Sequence, residues 1–363
     1  MKYIIFSFLV LYSFSLLAQD KKEDYKQVEF FKINESNDLF TYWYQSDKYF
    51  TDGIHLEFAH KIFNNKVADK ILLGFDTKHK DFGLSFNQDM YTPDNTELST
   101  VDSTDRPYAG QLYFTYTKVS NQFFKARKLS TSMSIGIQGP FARAGESQNF
   151  VHKAIDNPTS KGWDNQLSNG LIIDYEVQYM AMIPLWSSIN ELHYFGNIHT
   201  GTLNTSAEIG FRFKLGRYTD SYMNYYGIAN DRNTYNFEAS DIAKMNKHRR
   251  KIIPKHLRNQ SLEVQAAYLN KRMSRKFQFY FFTEGTLSYV LHDGSVQGSL
   301  IQFSPNIYEY TYKDYDHTKI LGRYGFVLQY SHFYLEYARY LQNDSFQHHG
   351  VFGYGKIVLS WVF

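Results

Sequence analysis

The sequence contains no cysteine, which excludes thiolate metal sites, cysteine nucleophiles, disulfides and a lipoprotein anchor. It also carries little net charge, +3 over 363 residues, so its composition suggests no nucleic-acid partner. The zinc motif H-E-x-x-H and the nucleophile elbow G-x-S-x-G are both missing. Residues 350–356 have the spacing of a phosphate-binding loop, but Ile357 replaces the required Ser or Thr, so we treat the match as chance.

Long apolar runs are also missing, except near the N-terminus, where one extends from Ile4 to Leu17 and is followed by Ala18. At about 1.5 Å per residue it spans only about 21 Å, short of the roughly 30 Å core of a bilayer. We therefore predict that residues 1–18 are a signal peptide and that residues 19–363 form a single domain. No later segment reaches the length of a membrane helix without charges, so any membrane span must be built from strands.

Aromatic residues, in contrast, are abundant. The chain has 31 Tyr and 31 Phe, although its mean hydropathy is negative. Aromatic girdles around a polar interior produce this combination in outer-membrane barrels. The last nine residues alternate, with apolar side chains on one face, and the sequence ends on Phe363. Such an ending resembles the C-terminal recognition signal of bacterial outer-membrane proteins, which makes the barrel assembly machinery an expected partner.

Apolar and polar residues also alternate inside the chain, in 111–118, 132–138 and 207–215. Further strand-like runs lie near 38–44, 51–61, 82–90, 171–181, 188–197, 261–270, 276–290, 320–331 and 333–341. The predicted fold class is all-β, a transmembrane antiparallel β-barrel. Because bacterial barrels use an even number of strands, we predict about twelve, with ten or fourteen as alternatives. A soluble sandwich would instead turn the apolar faces inward.

Two segments break the hairpin rhythm. We predict a short helix near 147–156, with Ser147 as its N-cap. Such a helix would place Gln148 and His152, which are four residues apart, on one face. The second segment is the long polar stretch 218–260, whose basic residues either belong to a solvated loop or contact lipopolysaccharide phosphates.

A set of unusual strings remains in the first half of the chain. The strings are Asn37-Asp38, Asp47-Lys48-Tyr49-Phe50-Thr51-Asp52-Gly53, Met90-Tyr91-Thr92-Pro93, Asp105-Arg106-Pro107-Tyr108-Ala109-Gly110, Gly139-Pro140, Gln148-Asn149-Phe150-Val151-His152 and Gly162-Trp163-Asp164-Asn165-Gln166-Leu167. Their order and spacing resemble the outer-membrane lipid A deacylase family, which comprises calcium-dependent enzymes that remove 3′-O-linked acyl chains from lipid A. The resemblance is dense over residues 36–180, and elsewhere only the barrel pattern carries it.

The resemblance implies a twelve-stranded barrel whose site lies near the outer leaflet, between the wall and a short helix. It implies that His152 is the general base that activates water, and that Asp38 helps to hold calcium with Asn37 beside it. Thr51 and Gln148 match polar residues that line the same site. These residue types suit ester hydrolysis, since imidazole titrates near neutral pH and a hard cation on oxygen ligands polarises a carbonyl.

Each of these residues also has a structural interpretation. A histidine in a helix is often only a hydrogen-bonding partner, Asp38 can cap a turn, and Thr51 can line the lumen. We favour the structural interpretation for three residues of the Asp-Arg-Pro-Tyr-Ala-Gly string, because Pro fixes a bend and Gly permits a close backbone approach. Those residues are Pro107, Ala109 and Gly110.

The chain departs from the resembling sequences at several positions. They tend to carry Arg at the position of Lys48 and Asn at that of Asp52, and they have Asn-Glu-Pro where this chain has Asn169-Gly170-Leu171. Their counterpart of the basic stretch also tends to be shorter. These departures leave the expected base and carboxylate in place, but they bear on substrate preference and on metal binding.

The sequence therefore predicts a lipid A deacylase, a carboxylic ester hydrolase of the bacterial outer membrane. Its expected substrate is lipid A or lipopolysaccharide, its neighbours are outer-membrane lipids, and its cofactor is calcium. One alternative is a non-catalytic barrel, either a pore or a structural protein. Another is a phospholipase with the same His and metal chemistry.

Overall fold

A computed structural model describes residues 27–37, 40, 52–96, 98–100, 105–154, 156, 158–183, 189–223, 225, 236–245, 247, 249–307, 310–343 and 350–363. The expected signal peptide, residues 1–18, lies outside this part of the chain, as do Asp38 and Thr51. The predicted strand 38–44 also lies outside it, apart from Phe40.

Thirteen strands are present among the described residues. They are β1 (Phe30–Asn37), β2 (Asp52–Ala59), β3 (Lys80–Tyr91), β4 (Ala109–Gln122), β5 (Arg127–Gln138), β6 (Gly170–Ile183), β7 (Asn190–Gly201), β8 (Asn204–Arg217), β9 (Phe277–Asp293), β10 (Ile301–Gln302), β11 (Thr318–Tyr330), β12 (Phe333–Asn343) and β13 (Val351–Val362). The α-helices are α1 (Lys66–Ile71), α2 (Ala144–Ala154), α3 (Ala239–Lys244), α4 (Leu262–Met273) and α5 (Gly294–Gln297). None of the described helices is long and apolar enough to cross a bilayer.

Twelve of these strands close into one antiparallel barrel. Each pairs with its neighbours in chain order, and β1 pairs with β13 from Phe30 opposite Val362 to Asn37 opposite Gly355. The two-residue strand β10 only extends the sheet beside the start of β6. Closure leaves no unpaired strand edge in the wall. The predicted fold class and strand number are therefore confirmed.

The alternation of side chains gives the wall an apolar outside and a polar inside. Ile135 and Ile209 are exposed on the outer surface, whereas Arg212 and Lys214 face the lumen beside a polar cavity of about 580 Å³. A soluble sandwich would have the opposite arrangement. The wall therefore has the apolar-out, polar-in pattern of a membrane barrel.

The two ends of the barrel differ. One end of the barrel lies at the pair formed by Phe30 and Val362. We call it the terminal end, because the first and last described residues of the chain lie there. Tyr218 and Tyr225 pack inside the lumen at this end, in one cluster with Phe30 and Val362. The opposite end, where β1 finishes at Asn37, is the far end.

A compact cap follows β8 at the terminal end. It consists of α3, α4 and their connections, with an apolar core that includes Phe237, Ile242, Ile253 and Leu269. The segment 261–270, predicted as a strand, is helical, so that prediction was wrong. The Ser261 side chain accepts a hydrogen bond from the Val264 N–H and caps the helix. Apolar residues recur there at helical spacing, on the face that packs into the cap.

Two other boundaries differ from those predicted. The first described strand, β1, ends at Asn37, just before the predicted strand 38–44. Helix α2 begins at Ala144, so Ser147 is not its N-cap. The backbone N–H of Ser147 instead donates a hydrogen bond to the Arg143 carbonyl. The short helix itself is present where the sequence indicated one.

Candidate functional site

Helix α2 lies on the outer surface of the wall at the far end. Gln111 lines the lumen, so its neighbour Gly110 faces outward, and there it meets Ala144 at the start of α2. A Cβ atom on Gly110 would come within 2.5 Å of the Ala144 Cβ, so only glycine allows the helix this close. This close approach supports the structural interpretation of Gly110.

An aromatic cluster lies beneath the helix. Met90, Tyr108, Ala144 and Trp163 are buried together, with the Tyr108 and Trp163 rings 5.0 Å apart. A Cβ atom on Gly145 would be 2.7 Å from the Trp163 ring, so the helix also rests closely on the indole. The contacts fix both the height and the rotation of α2 on the wall.

His152 is held in one orientation on the buried face of this helix. It is 6% exposed, while Phe150, two residues earlier, is 75% exposed on the opposite face. Its Nδ1 lies 2.6 Å from the Pro158 carbonyl oxygen. A carbonyl can only accept a hydrogen bond, so Nδ1 carries the proton and the lone pair lies on Nε2.

Gln148 lies one turn before His152 on the same buried face. Its Oε1 accepts a hydrogen bond of 2.7 Å from the indole Nε1–H of Trp163. That contact directs the amide so that its Nε2 is the remaining donor, and this buried Nε2 has no hydrogen-bond partner in the structure. A buried donor without a partner is costly, so this amide is suited to a ligand that supplies an acceptor.

The outer wall beside the helix carries acidic and amide side chains. Asn37 lies opposite Asp52 in the β1–β2 pairing, and Asp52 lies opposite Met90 in the β2–β3 pairing. Residues directly opposite share a face, so Asn37 and Asp52 point outward with Met90, which belongs to the aromatic cluster beneath α2. Asp52 is 5% exposed, and its Oδ1 has no hydrogen-bond partner.

Oxygen donors for a hard cation are therefore present, although the described residues contain no group of three His, Asp or Glu side chains arranged around a metal position. Asn37, Asp52 and the half-buried Glu35 contribute carboxylate or amide oxygens to one face, a donor set that suits calcium. Asp38 and Thr51 adjoin this face in sequence, as the residues after Asn37 and before Asp52. Their side chains lie outside the described residues.

The Asp105–Gly110 string joins the far-end loops to the wall. The Asp105 carboxylate accepts hydrogen bonds from the backbone N–H groups of Asp94 and Arg106, at 2.6 and 2.7 Å. Burial raises the pKa of the Asp105 carboxyl, and these two hydrogen bonds oppose that shift. The Arg106 guanidinium donates to the Ser295 hydroxyl oxygen at 3.0 Å and stacks over the Tyr91 ring. The string therefore acts as scaffolding.

The structure thus brings two of the predicted site residues, Gln148 and His152, to one buried face of α2, and it places Asn37 on the neighbouring wall. Sequence reasoning missed the roles of Pro158 and Trp163, which position the two helix residues. Trp163 lies within one of the singled-out strings, whereas nothing in the sequence marks the Pro158 carbonyl.

Comparison with known proteins identifies a family. The family model described as "Outer membrane protein LpxR" matches residues 4–363. The structure of LpxR from Salmonella typhimurium matches with a TM-score of 0.65 and 15% sequence identity, covering 92% of this chain and 100% of that chain. At this identity the match shows a shared fold. No curated protein matches the sequence.

Two autotransporter barrels match less well. The β domain of the Bordetella autotransporter BrkA has a TM-score of 0.37 and 6% identity, covering 94% of this chain and 99% of that chain. The translocator domain of NalP from Neisseria meningitidis has a TM-score of 0.35 and 8% identity, covering 100% and 96%. The LpxR family match, in contrast, spans nearly the whole sequence, and with the closed barrel it confirms the predicted location in the bacterial outer membrane. The chain therefore belongs to the outer-membrane protein LpxR family.

Proposed function

We propose that this protein is a calcium-dependent lipid A deacylase that hydrolyses the 3′-O-linked acyl ester of lipid A in the outer leaflet. The observation that carries the proposal is the buried His152, whose Nδ1–H donates to the Pro158 carbonyl and so leaves Nε2 to act as a base. Gln148 supplies a buried donor one helical turn away.

The proposal gives the barrel an orientation. The terminal end faces the periplasm, from which outer-membrane chains insert, and the far end with α2 reaches the outer leaflet. Phe150 and Val151 are exposed on the surface of α2 that faces away from the barrel, where acyl chains would surround them. A lipid could therefore present its ester to the gap between α2 and the wall while its acyl chain stays in hydrocarbon.

In the reaction, Nε2 of His152 accepts a proton from water as the water oxygen attacks the ester carbonyl carbon. The Pro158 carbonyl stabilises the imidazolium, because its hydrogen bond to Nδ1–H strengthens when the ring becomes charged. The Nε2–H of Gln148 donates to the oxyanion that forms. When the C–O bond breaks, His152 returns the proton to the departing sugar oxygen, and a free fatty acid leaves.

Calcium fits the donor set on the outer wall. Asp38 and Asn37 would hold it, and carboxylate and amide oxygens are the ligands that this cation prefers. When bound, the ion supplies a Lewis acid for the ester carbonyl. The chain's own residues position the ester, exclude water from the aromatic cluster beneath α2 and move the proton.

The test compares lipid A by mass spectrometry from cells that express the wild type, His152→Ala or His256→Ala. His256 is exposed on the cap, so its variant controls for loss of a histidine away from the site. We expect the wild type and His256→Ala to release one acyl chain and His152→Ala to release none. Chelation of divalent cations should also stop the reaction in membranes.

Identical acylation of lipid A in cells with wild type and with His152→Ala would refute the assignment. Both proteins must be folded for this comparison, which is checked by the shift in electrophoretic mobility that folded barrels show on heating. Activity that survives thorough chelation would refute the calcium requirement and leave the histidine chemistry intact. Release of fatty acid from phospholipids, with lipid A unchanged, would identify a phospholipase instead.

A further inference from the structure

The segment between β2 and β3, which includes helix α1, lies across the outer surface of the wall. We call its residues 61–73 the outer belt. Tyr116 on β4 and Tyr175 on β6 both face outward, since the residues on either side of each line the lumen. The Tyr116 hydroxyl donates to the Phe63 carbonyl, and the Tyr175 hydroxyl donates to the Ile71 carbonyl at 2.9 Å. The belt therefore crosses the wall from β4 to β6.

The belt turns its acidic side chain toward the wall. Asp69 forms ion pairs with Lys118 at 2.6 Å and with Lys80 at 2.9 Å. Lys118 also donates to the Leu72 carbonyl at 2.8 Å, and the residue is only 2% exposed. Both lysines lie on the outer face of their strands, where an unpaired ammonium group would be costly in a bilayer. The belt therefore neutralises two charges on the outer wall.

The side of the belt that faces away from the wall is apolar. Ile62, Val67, Ile71 and Leu73 are each more than half exposed. A cluster of exposed apolar side chains within one short segment marks an interaction surface, and here it adjoins the lipid-facing surface of the barrel. The belt thus repeats the polarity of the wall, with charges inside and apolar groups outside.

Aromatic rings place the belt at a membrane interface. Phe63 packs edge to face against Phe58 with the ring centres 5.8 Å apart, and Phe58 packs in the same way against Phe363. Such rings form the aromatic girdles of an outer-membrane barrel. Because the belt begins just after β2 ends at the terminal end, the girdle is the one at that end. In the orientation given above, it lies in the inner leaflet.

Two lysines complete an interfacial pattern on α1. Lys66 and Lys70 are four residues apart, so they share one flank of the helix, and both are exposed. Val67 and Ile71 share the next flank. A basic flank beside an apolar one suits a membrane interface, because the lysines reach headgroup phosphates while the apolar side chains enter the acyl region.

We propose that the outer belt is a binding surface for an anionic phospholipid of the inner leaflet. The acyl chains pack on the exposed apolar residues, and the phosphate lies at Lys66 and Lys70. The orientation of the barrel names the leaflet, and the inference does not depend on deacylation.

The first test locates the belt relative to the bilayer. Because the chain has no cysteine, one fluorophore can be attached at Val67→Cys in protein reconstituted into phospholipid vesicles. Ile135→Cys on the lipid-facing wall and Val264→Cys on the cap are the references, since both positions are exposed. We expect nitroxide-labelled acyl chains to quench the labels at 67 and 135 alike. Iodide in the water should quench the label at 67 at least about fivefold less than the label at 264.

The second test concerns the headgroup. Purified protein is titrated with phosphatidylglycerol or phosphatidylcholine, and bound lipid is counted by native mass spectrometry. The belt variant carries Lys66→Gln and Lys70→Gln, and the matched control carries Lys255→Gln and Lys271→Gln, which remove two exposed charges from the cap. We expect the belt variant to bind phosphatidylglycerol at least about tenfold more weakly than the wild type and the control.

A label at residue 67 that iodide reaches as readily as the label at residue 264 would overturn the inference. Equal binding of phosphatidylglycerol by the belt variant and the wild type would also overturn it, because the proposal places the phosphate at these lysines. If Val67→Cys lacks the heat-dependent mobility of a folded barrel, Ile71→Cys replaces it in the quenching test. Neither measurement uses lipid A, so failure of the proposed deacylation would leave this inference standing.

Discussion

One hydrogen bond each determines which atoms of His152 and Gln148 remain as donor or acceptor. The Pro158 carbonyl assigns the proton of His152 to Nδ1, and the Trp163 indole takes the carbonyl oxygen of the Gln148 amide. His152 is left with a hydrogen-bond acceptor at its Nε2, and Gln148 is left with a hydrogen-bond donor at its amide Nε2. In the proposed reaction His152 is the base and Gln148 is the oxyanion donor, one helical turn apart.

Replacing Gln148 by Leu tests the donor. The variant keeps a similar volume but loses the N–H group, so we expect kcat for deacylation to fall by about 10²–10³-fold with little change in KM. Assays on purified protein with lipid A in mixed micelles give both constants. Gln260→Leu, at an exposed position on the cap, should behave like the wild type. A change confined to KM would mean that Gln148 binds the substrate without stabilising the oxyanion.

The sequence identified Gln148 and His152 because both lie in short strings that resemble one family. It could not identify the Pro158 carbonyl, because a backbone acceptor depends on how the chain turns after the helix. Asp52 was noticed only as a departure from similar sequences. Its burial and the missing partner of its Oδ1 are properties of the closed wall, and they are not visible in one strand's sequence.

At the scale of elements, the placement of α2 on the wall controls the site. The helix approaches β4 where Gly110 lacks a side chain, and it rests on Trp163 through Gly145. Both contacts leave no room for a methyl group, so a methyl group at either position would displace the helix. Catalysis is sensitive to such displacements, because reacting groups must be held in near-attack geometry.

Replacing Gly110 by Ala tests this placement. The added Cβ would come within 2.5 Å of the Ala144 Cβ, so α2 must shift outward while the barrel stays closed. We expect deacylation to fall by about tenfold to a hundredfold, with unchanged heat-dependent mobility. Gly322→Ala is the matched control, because its added Cβ meets nothing within 4 Å. Equal activity of both variants would show that the helix position does not limit the reaction.

Most strands follow from the alternation of apolar and polar residues, but two elements do not. Segment 261–270 alternates at Leu262, Val264 and Ala266, yet its apolar residues also recur at helical spacing, and a short run of this kind fits both patterns. The N-cap at Ser261 and the burial of Leu269 on the packed face favour the helix over the strand. Strand β1 was missed because its outer face turns polar at Glu35 and Asn37. The alternation fails there because those residues belong to the candidate site.

At the scale of the whole molecule, the two ends of the barrel are separated in role. The far end carries α2 and the outer-wall carboxylates, while the terminal end is filled by the cap and by Tyr218 and Tyr225. Much of the basic stretch belongs to that cap, and its Arg249 is buried beside Asp220 instead of being solvated. In the proposed orientation the cap lies in the periplasm, so its basic residues cannot contact lipopolysaccharide phosphates in the outer leaflet.

One buried ion pair joins the cap to the segment that enters the lumen, a cavity of about 580 Å³, at the terminal end. Arg249 Nη1 lies 2.8 Å from Asp220 Oδ2, and both side chains are buried. Removing one partner of a buried ion pair leaves an uncompensated charge and typically costs about 3–5 kcal/mol. The Asp220–Arg249 pair is therefore a place where one substitution can weaken the attachment of the cap.

Asp220→Asn should loosen the cap and leave the barrel intact. In planar bilayers we expect the wild type to stay closed and the variant to show transient openings, while trypsin cuts the variant faster within 236–276. Lys244→Gln is the control, because Lys244 is exposed and its ion pair with Asp241 contributes at most about 1 kcal/mol. Steady conductance of the wild type would contradict the closed lumen and favour a pore. A closed variant with unchanged proteolysis would mean that apolar packing around Ile253 and Leu269 holds the cap in place without the ion pair.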